Sequence, residues 1–208
     1  MNNRGYISVK KPASARLVEK KSVFIAHVAP VKTDEEAKDF INKIRTQYSD
    51  ATHNVYAYIL REQNISRFSE DGEPRGTAGL PIMEMLCAMK ITDISSVVTR
   101  YFGGTLLGAG GLARAYTAVV KKALLKAEVT EWSLFYVFSV KTDYGGFERL
   151  SRPFEGLGVR VTDTLYSQHV FAECAVKAEV FDKTKAKILE LTGGRAEIIL
   201  TGEKFLPE

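Results

Sequence analysis

The chain holds only two cysteines, Cys87 and Cys174, and three histidines, His27, His53 and His169. Two thiols make no disulfide framework, and each sits among apolar neighbours, so both are expected to be free and buried. The histidines are far apart in sequence and show no metal-ligand spacing, which leaves no metal site to assign. His27 and His169 read as structural residues within strands, whereas His53 stands just ahead of a strand and is placed to face a cleft. No apolar run approaches the ~20 residues of a membrane span. The opening MNNRGYISVKK lacks the apolar core of a signal peptide. There is no GxSxG elbow, and no base lies close in sequence to Cys87. No catalytic residue is therefore nominated, no cofactor is called for, and a cytoplasmic protein without a membrane partner is expected. Repeats of solenoid length and low-complexity segments are also missing.

What is present is a chain of 208 residues, 45% hydrophobic and 26% charged, enough for one large or two small packed domains. The net charge of +4 is unevenly spread: residues 1–130 carry 19 Lys and Arg against 13 Asp and Glu, the remainder 10 against 12. Arg4, Lys10, Lys11, Arg16, Lys20 and Lys21 supply much of that surplus. A basic half suits an acidic partner such as RNA, and it equally suits an ordinary solvated surface.

Short strands are expected over 5–10, 15–20 and 23–28. Thr33 with Glu36 forms a capping box for a helix whose apolar face is Ala37, Phe40, Ile41, Ile44 and Tyr48. Residues 55–60 form a strand. A polar loop over 66–79 carries the Asp71-Gly72 and Glu73-Pro74 turn signals. Glu70, Asp71 and Glu73 in that loop can face a magnesium ion or a substrate amine, or can simply be solvated. Pro81 opens a helix carrying Ile82, Met83, Met85, Leu86 and Met89. After about residue 130 the pattern restarts as strand 134–140, helix around Phe147, Leu150 and Phe154, strands 159–166 and 170–176, helix around Ile188, and strand 196–200. That β-α-β-β-α-β order is the ferredoxin-like one.

The remaining stretch organises the chain. VVTRYFGGTLLGAGGL, from Val97 to Leu112, reads as a buried strand over 94–101, a loop with Gly103, Gly104, Gly108, Gly110 and Gly111, and a helix. That helix carries Tyr116, Val119, Val120, Ala123 and Leu124 on one face and closes with Lys121, Lys122 and Lys126, which complement its negative end. A strand–glycine loop–helix order presents unpaired backbone N–H groups at a positive dipole end. Arg100 can add a planar bidentate partner, and Tyr101 and Phe102 can add aromatic contact. The loop lacks both the Walker GK[ST] ending and the GxGxxG order of a dinucleotide fold. Spacing alone leaves open whether these glycines bind phosphate or serve tight turns.

Read back from Gly108, the chain shows Leu107, Gly104, Gly103, Phe102, Tyr101, Arg100, Val98, Val97, Ile91, Leu86, Met83, Ile82 and Gly79, preceded by SEDGEPRGTAG at 69–79. This pattern resembles the signature of the IMPACT family, in its bacterial YigZ-like branch. The resemblance implies an α+β chain. Its first domain (1–130) would be of the type shared by a ribosomal protein and domain IV of elongation factor G, and its second (131–208) would be ferredoxin-like. It also implies a translation regulator, with RNA or the ribosome as partner and Arg100, Tyr101, Phe102, Gly103, Gly104, Gly108, Gly110 and Gly111 as contacts. His53, Asp71 and Glu73 are accessory candidates. Two alternatives stand beside it. One is an enzyme related to the GHMP small-molecule kinases, with phosphate on Gly103 to Gly111 and magnesium on Asp71 or Glu73, although the serine pair of those kinases is absent. The other is a protein-interaction module using the sheet of the second domain.

Overall fold

The structure, a computed structural model, describes residues 5–208; Arg4, named above among the basic residues, lies outside them. The described residues are mixed α and β, with five α-helices and two antiparallel sheets, and divide into two compact units, Tyr6–Glu131 and Trp132–Glu208.

In the first unit the strands are β1 (Tyr6–Val9), β2 (Ala13–Glu19), β3 (Ser22–Pro30), β4 (His53–Leu60), β5 (Ile65–Ser69) and β6 (Ile94–Tyr101). The sheet runs β2-β3-β6-β4-β5, each neighbour antiparallel. Strand β6 is central and buried along nearly its whole length, which explains why its sequence reads as a continuous apolar and small-residue run. Helices α2 (Gly79–Ala88) and α3 (Ala109–Ala127) cover one face, burying Phe24, Val55, Val98, Ile82, Leu86, Tyr116 and Val120 together. Helix α1 (Asp34–Gln47) covers the other face, with Ile41 and Ile44 against Tyr58, Leu60 and Val97.

The α1 cap follows the expected chemistry with one shift: Thr33 Oγ1 accepts from the Glu36 amide at 3.1 Å, while the Glu36 carboxylate reaches the Lys32 amide at 2.7 Å rather than that of the cap residue. The segment 66–79 is not loop throughout, because its first four residues lie in β5, which pairs with β4. Pro81 is the third residue of α2, a position that still needs no intrahelical N–H donor.

The second unit holds β7 (Val129–Thr142) from Trp132 onward, α4 (Tyr144–Gly156), β8 (Arg160–Tyr166), β9 (Val170–Lys177), a short 3₁₀ turn, α5 (Phe181–Leu191) and β10 (Glu197–Pro207). Its strands lie in the order β8-β9-β7-β10, all antiparallel. Phe138, Val140, Leu150, Phe154, Cys174 and Ile188 form its core. Both β7 and β10 extend well beyond the apolar runs that mark them, since pairing with each other carries the ladder into polar sequence.

Two expectations are corrected here. His169 is not in a strand but in the turn ahead of β9, where its carbonyl accepts from Ser167. Cys87 is exposed, not buried. The buried residues of α2 are Gly79, Ile82, Met83 and Leu86, at helical spacing, and Cys87 stands one position, about 100°, past that stripe. Cys174 is buried, and burial pushes its thiol pKa up to about 12. Thiol reagents are thus expected to label one cysteine rapidly in the native protein, at Cys87, and the second only on unfolding. Peptide mapping after a short native exposure checks this; native labelling of Cys174 would contradict the packing of the second core.

Candidate functional site

The register of β3, β6 and β4 builds the floor of the site. Phe24 pairs with Arg100, and Arg100 pairs with His53, so three residues far apart in sequence stand in one row across three strands. They share a face with Val98 and Val55, beneath α2 and α3, because alternate residues of a strand point the same way. Tyr101, the next residue on β6, points to the opposite face and donates its hydroxyl to Asp50 at 2.9 Å, which raises the phenol pKa. The structure therefore separates Tyr101 from Arg100, although the sequence joins them.

Arg100 is 5% exposed and Glu73 7%. The Arg100 Nη1 donates to Glu73 Oε1 at 2.6 Å, and the Tyr116 hydroxyl donates to the same oxygen at 2.7 Å. Burial, with the Glu73 bond added, drives the Tyr116 phenol far above its ordinary pKa, so it stays protonated and keeps donating. Arg100 Nη2 reaches Ser22 Oγ at 3.4 Å, and its guanidinium lies between the rings of Phe24 and Phe102, 5.3 and 5.5 Å from their centres. Its Nε–H is buried with no hydrogen-bond partner. His53 Nδ1 is 2.7 Å from the Asp71 carbonyl oxygen; a carbonyl only accepts, so Nδ1 carries the hydrogen and Nε2 is left facing Glu73 Oε1 at 3.9 Å.

The acidic segment above this floor is occupied by protein partners. Asp71 accepts from Arg45 at 2.9 Å and from the Asn54 amide at 2.6 Å. The Glu70 carboxylate accepts from the amides of Gly76, Ala78, Gly79 and Leu80, so it caps α2 as an internal anion. Among the described residues no cluster of acids, histidines or cysteines is arranged to hold a metal ion. Asp71, Glu73 and Glu70 each turn to a different protein partner and serve as the frame of the site.

The glycine-rich loop crosses the edge of the same floor. Gly103 is required by approach: a Cβ there would sit 2.1 Å from the Lys21 carbonyl carbon, and its amide donates to Ser22 Oγ at 3.1 Å. Gly108 caps α3 in the left-handed region, at φ 73°, where no side chain among the described residues caps the helix. A Cβ at Gly104 or Gly108 would meet open space, one at Gly111 would press on Leu107, and one at Gly110 would lie 3.4 Å from the Arg114 guanidinium. Lys20, Gly111 and Arg114 line one groove.

Lys20 and Lys21 are residues that the sequence does not single out as a site. They form the two-residue turn of the β2–β3 hairpin, both at positive φ, 45° and 67°, in the place where Asn-Gly is preferred. Their signal is the two-residue gap between apolar patterns, hidden because lysine is a poor turn residue. Tyr116 is visible in the sequence only as one apolar position on a helix face. Arg45 belongs to another helix altogether.

Between the loop and the floor lies a cleft of about 390 Å³. His53, Glu73 and Arg100 lie at its base, while Phe102, Leu106 and the first residues of α3 form its rim. Phe102 is 47% and Leu106 82% exposed at the mouth of the cleft. The arrangement offers an anion the free amides of a helix start and offers a flat apolar group a cavity beneath them.

Comparison with known proteins agrees with the pattern in the central stretch. Residues 20–124 match the Impact N-terminal domain, a span that contains the hairpin turn, the Glu73 network and the glycine loop. The chain is 37% identical over 194 residues to IMPACT family member YvyE of Bacillus subtilis, covering 93% of this chain and 89% of that protein. It is 33% identical over 193 residues to IMPACT family member YigZ of Escherichia coli, covering 88% and 92%. A crystal structure described only as that of a hypothetical protein superposes with a TM-score of 0.60 at 27% identity, over 96% of this chain and 98% of that one. The likeness runs through both units, and the chain belongs to the IMPACT family.

Proposed function

We propose that the protein is a translation regulator that binds RNA or the ribosome through the glycine-rich loop of its first unit. The observation that carries this is the convergence of two segments distant in sequence: the exposed Lys20–Lys21 turn, and the glycine loop that packs on it through Gly103 and runs into the start of α3 beside Arg114. Cations and free backbone amides on one surface are what a phosphate backbone needs, and the exposed Phe102 adds a stacking face. Arg100 acts from below, holding Phe102 and Glu73. On this reading the first unit is a domain of the ribosomal-protein and elongation-factor-G domain IV type. The strand order β8-β9-β7-β10 supports a ferredoxin-like second domain. The link to translation rests on family resemblance, and the site of action is then the cytoplasm.

The strained turn supplies the test. Two non-glycine residues at positive φ are held at a cost that Asn-Gly would relieve. Lys20→Asn with Lys21→Gly is expected to raise stability by about 1–2 kcal/mol while weakening RNA binding. The salt dependence of binding should flatten by about 0.7 for each single-strand phosphate that is no longer neutralised. Unfolding curves and salt titrations on a short RNA, with ribosome co-sedimentation at low and high salt, read both effects. An unchanged affinity and slope in the stabilised variant would remove the turn from the site, and a wild-type protein that binds neither RNA nor ribosomes at low salt would end the reading.

A further inference from the structure

We propose that the cleft beneath the glycine loop takes one nucleotide unit, its base inside and its phosphate on the first turn of α3. This deepens the RNA reading and rests on it for the phosphate contact. Three features of the cleft point to a base rather than to a bare anion or an aliphatic chain.

The first is the floor. Arg100 is only 5% exposed, lines the cleft, and its Nε–H has no partner. A buried donor left unmade is unfavourable by about 1–3 kcal/mol, and because this nitrogen has no exposed surface, a ligand acceptor meets it only through a small shift of the Arg100 side chain. His53 Nε2 lies on the same floor, its other nitrogen fixed on the Asp71 carbonyl. A donor and a heteroaromatic nitrogen side by side match the mixed edge of a nucleobase; an alkyl chain would leave both unmet.

The second is the wall. The Phe102 ring has the Arg100 guanidinium 5.5 Å from its centre and remains 47% exposed. A ring backed by a cation on one side and open otherwise is a stacking platform for a flat π-system. Pro74, Leu107 and Leu112 complete an apolar lining. The volume, about 390 Å³, lies within the range of ~300–1,000 Å³ seen for small-ligand sites.

The third is that the polar floor and the helix start belong to one cleft. Gly108 and Ala109, at the uncapped start of α3, line the same cleft as Arg100 and His53. A group that is flat and hydrogen-bonding at one end and anionic at the other is a nucleoside monophosphate, either free or within a single strand of RNA.

Calorimetric titration of the full-length protein tests the proposal. The probes are the four nucleoside 5′-monophosphates, ribose 5-phosphate, inorganic phosphate and an unstructured RNA oligomer. At least one monophosphate is expected to bind about tenfold more tightly than ribose 5-phosphate or phosphate, the scale of one base stacked on an aromatic ring. Ala109→Trp fills the cleft from an exposed position that leaves the core untouched, and it should abolish that preference. Phe102→Ala should reduce it about tenfold, with melting curves confirming both variants folded. If no monophosphate outperforms ribose 5-phosphate while RNA still binds, the inference is overturned and the RNA reading stands. If a monophosphate binds and RNA does not, the inference stands with free nucleotide as its source and the RNA reading falls. If Ala109→Trp leaves both affinities unchanged, the base lies elsewhere and the inference is overturned.

Discussion

Arg100→Ala is expected to destabilise the protein by about 3–5 kcal/mol, the scale on which removing one partner of a buried ion pair leaves the other charge uncompensated. Glu73 would be deprived of its shortest hydrogen bond, at 2.6 Å, and would keep only the Tyr116 hydroxyl and a histidine nitrogen 3.9 Å away. The two aromatic rings would also be without the guanidinium between them. Equilibrium unfolding in urea measures the loss. The combined replacement Arg100→Met, Glu73→Leu and Tyr116→Phe, which leaves no buried hydroxyl without its carboxylate, provides the control. Because two desolvated charges are removed together, it should recover most of the stability, as apolar replacements of buried pairs commonly do. An Arg100→Ala protein as stable as wild type would mean that Glu73 finds water or another cation, and the network would then not be the frame of the site. Arg100→Ala should leave the salt slope of RNA binding unchanged in any fraction that stays folded, since its charge already faces Glu73 and not solvent.

The second large effect is at Gly103. Gly103→Ala is expected to cost about 3 kcal/mol or more, because the new Cβ would meet the backbone of Lys21 and Ser22 at 2.1 to 2.3 Å. Backbone on both sides leaves no flexible side chain to yield, so either the loop or the β2–β3 turn must move. Gly104→Ala isolates the alternative cause. Its Cβ meets nothing within 4 Å but its φ is +79°, so it should lose only about 1 kcal/mol from backbone strain. If the two variants unfold at the same denaturant concentration, conformational freedom and not close approach explains Gly103. Since Gly103 ties the loop to the lysine turn, its alanine variant should also weaken RNA binding more than Gly104→Ala does.

Much of the fold is legible in the sequence because its elements carry local signals. The Thr33 cap and the Ala37, Ile41, Ile44 stripe place α1, and an unbroken apolar strand followed by glycines and a helical stripe places β6 and α3. Cys87 reads as buried from its apolar neighbours, but helical phase decides its exposure, and that phase is present in the spacing of Ile82, Met83 and Leu86. Strand β5 is hard to see in the sequence because it is a half-exposed edge strand with little apolar patterning.

By itself the sequence determined most of the helices and strands, though not β5, that a glycine loop opens α3, and that the chain carries the pattern of its family. These follow from forces acting over a few residues: periodic burial, capping and the conformational limits of glycine and proline. Only the tertiary structure decided which side chains meet. Antiparallel register set Phe24, Arg100 and His53 in one row and turned Tyr101 to the other face. It also brought Glu73 from a loop 27 positions away onto Arg100, and Tyr116 onto Glu73 from 43 positions beyond it. Pairing of that kind depends on strand order and on the close approach of backbones at Gly103, and neither leaves a trace in local composition. The same charge that looks like a phosphate ligand in the sequence is therefore a buried cation in the fold, and the exposed cations beside the glycine loop are the two lysines of a strained turn, on which the proposed RNA contact rests.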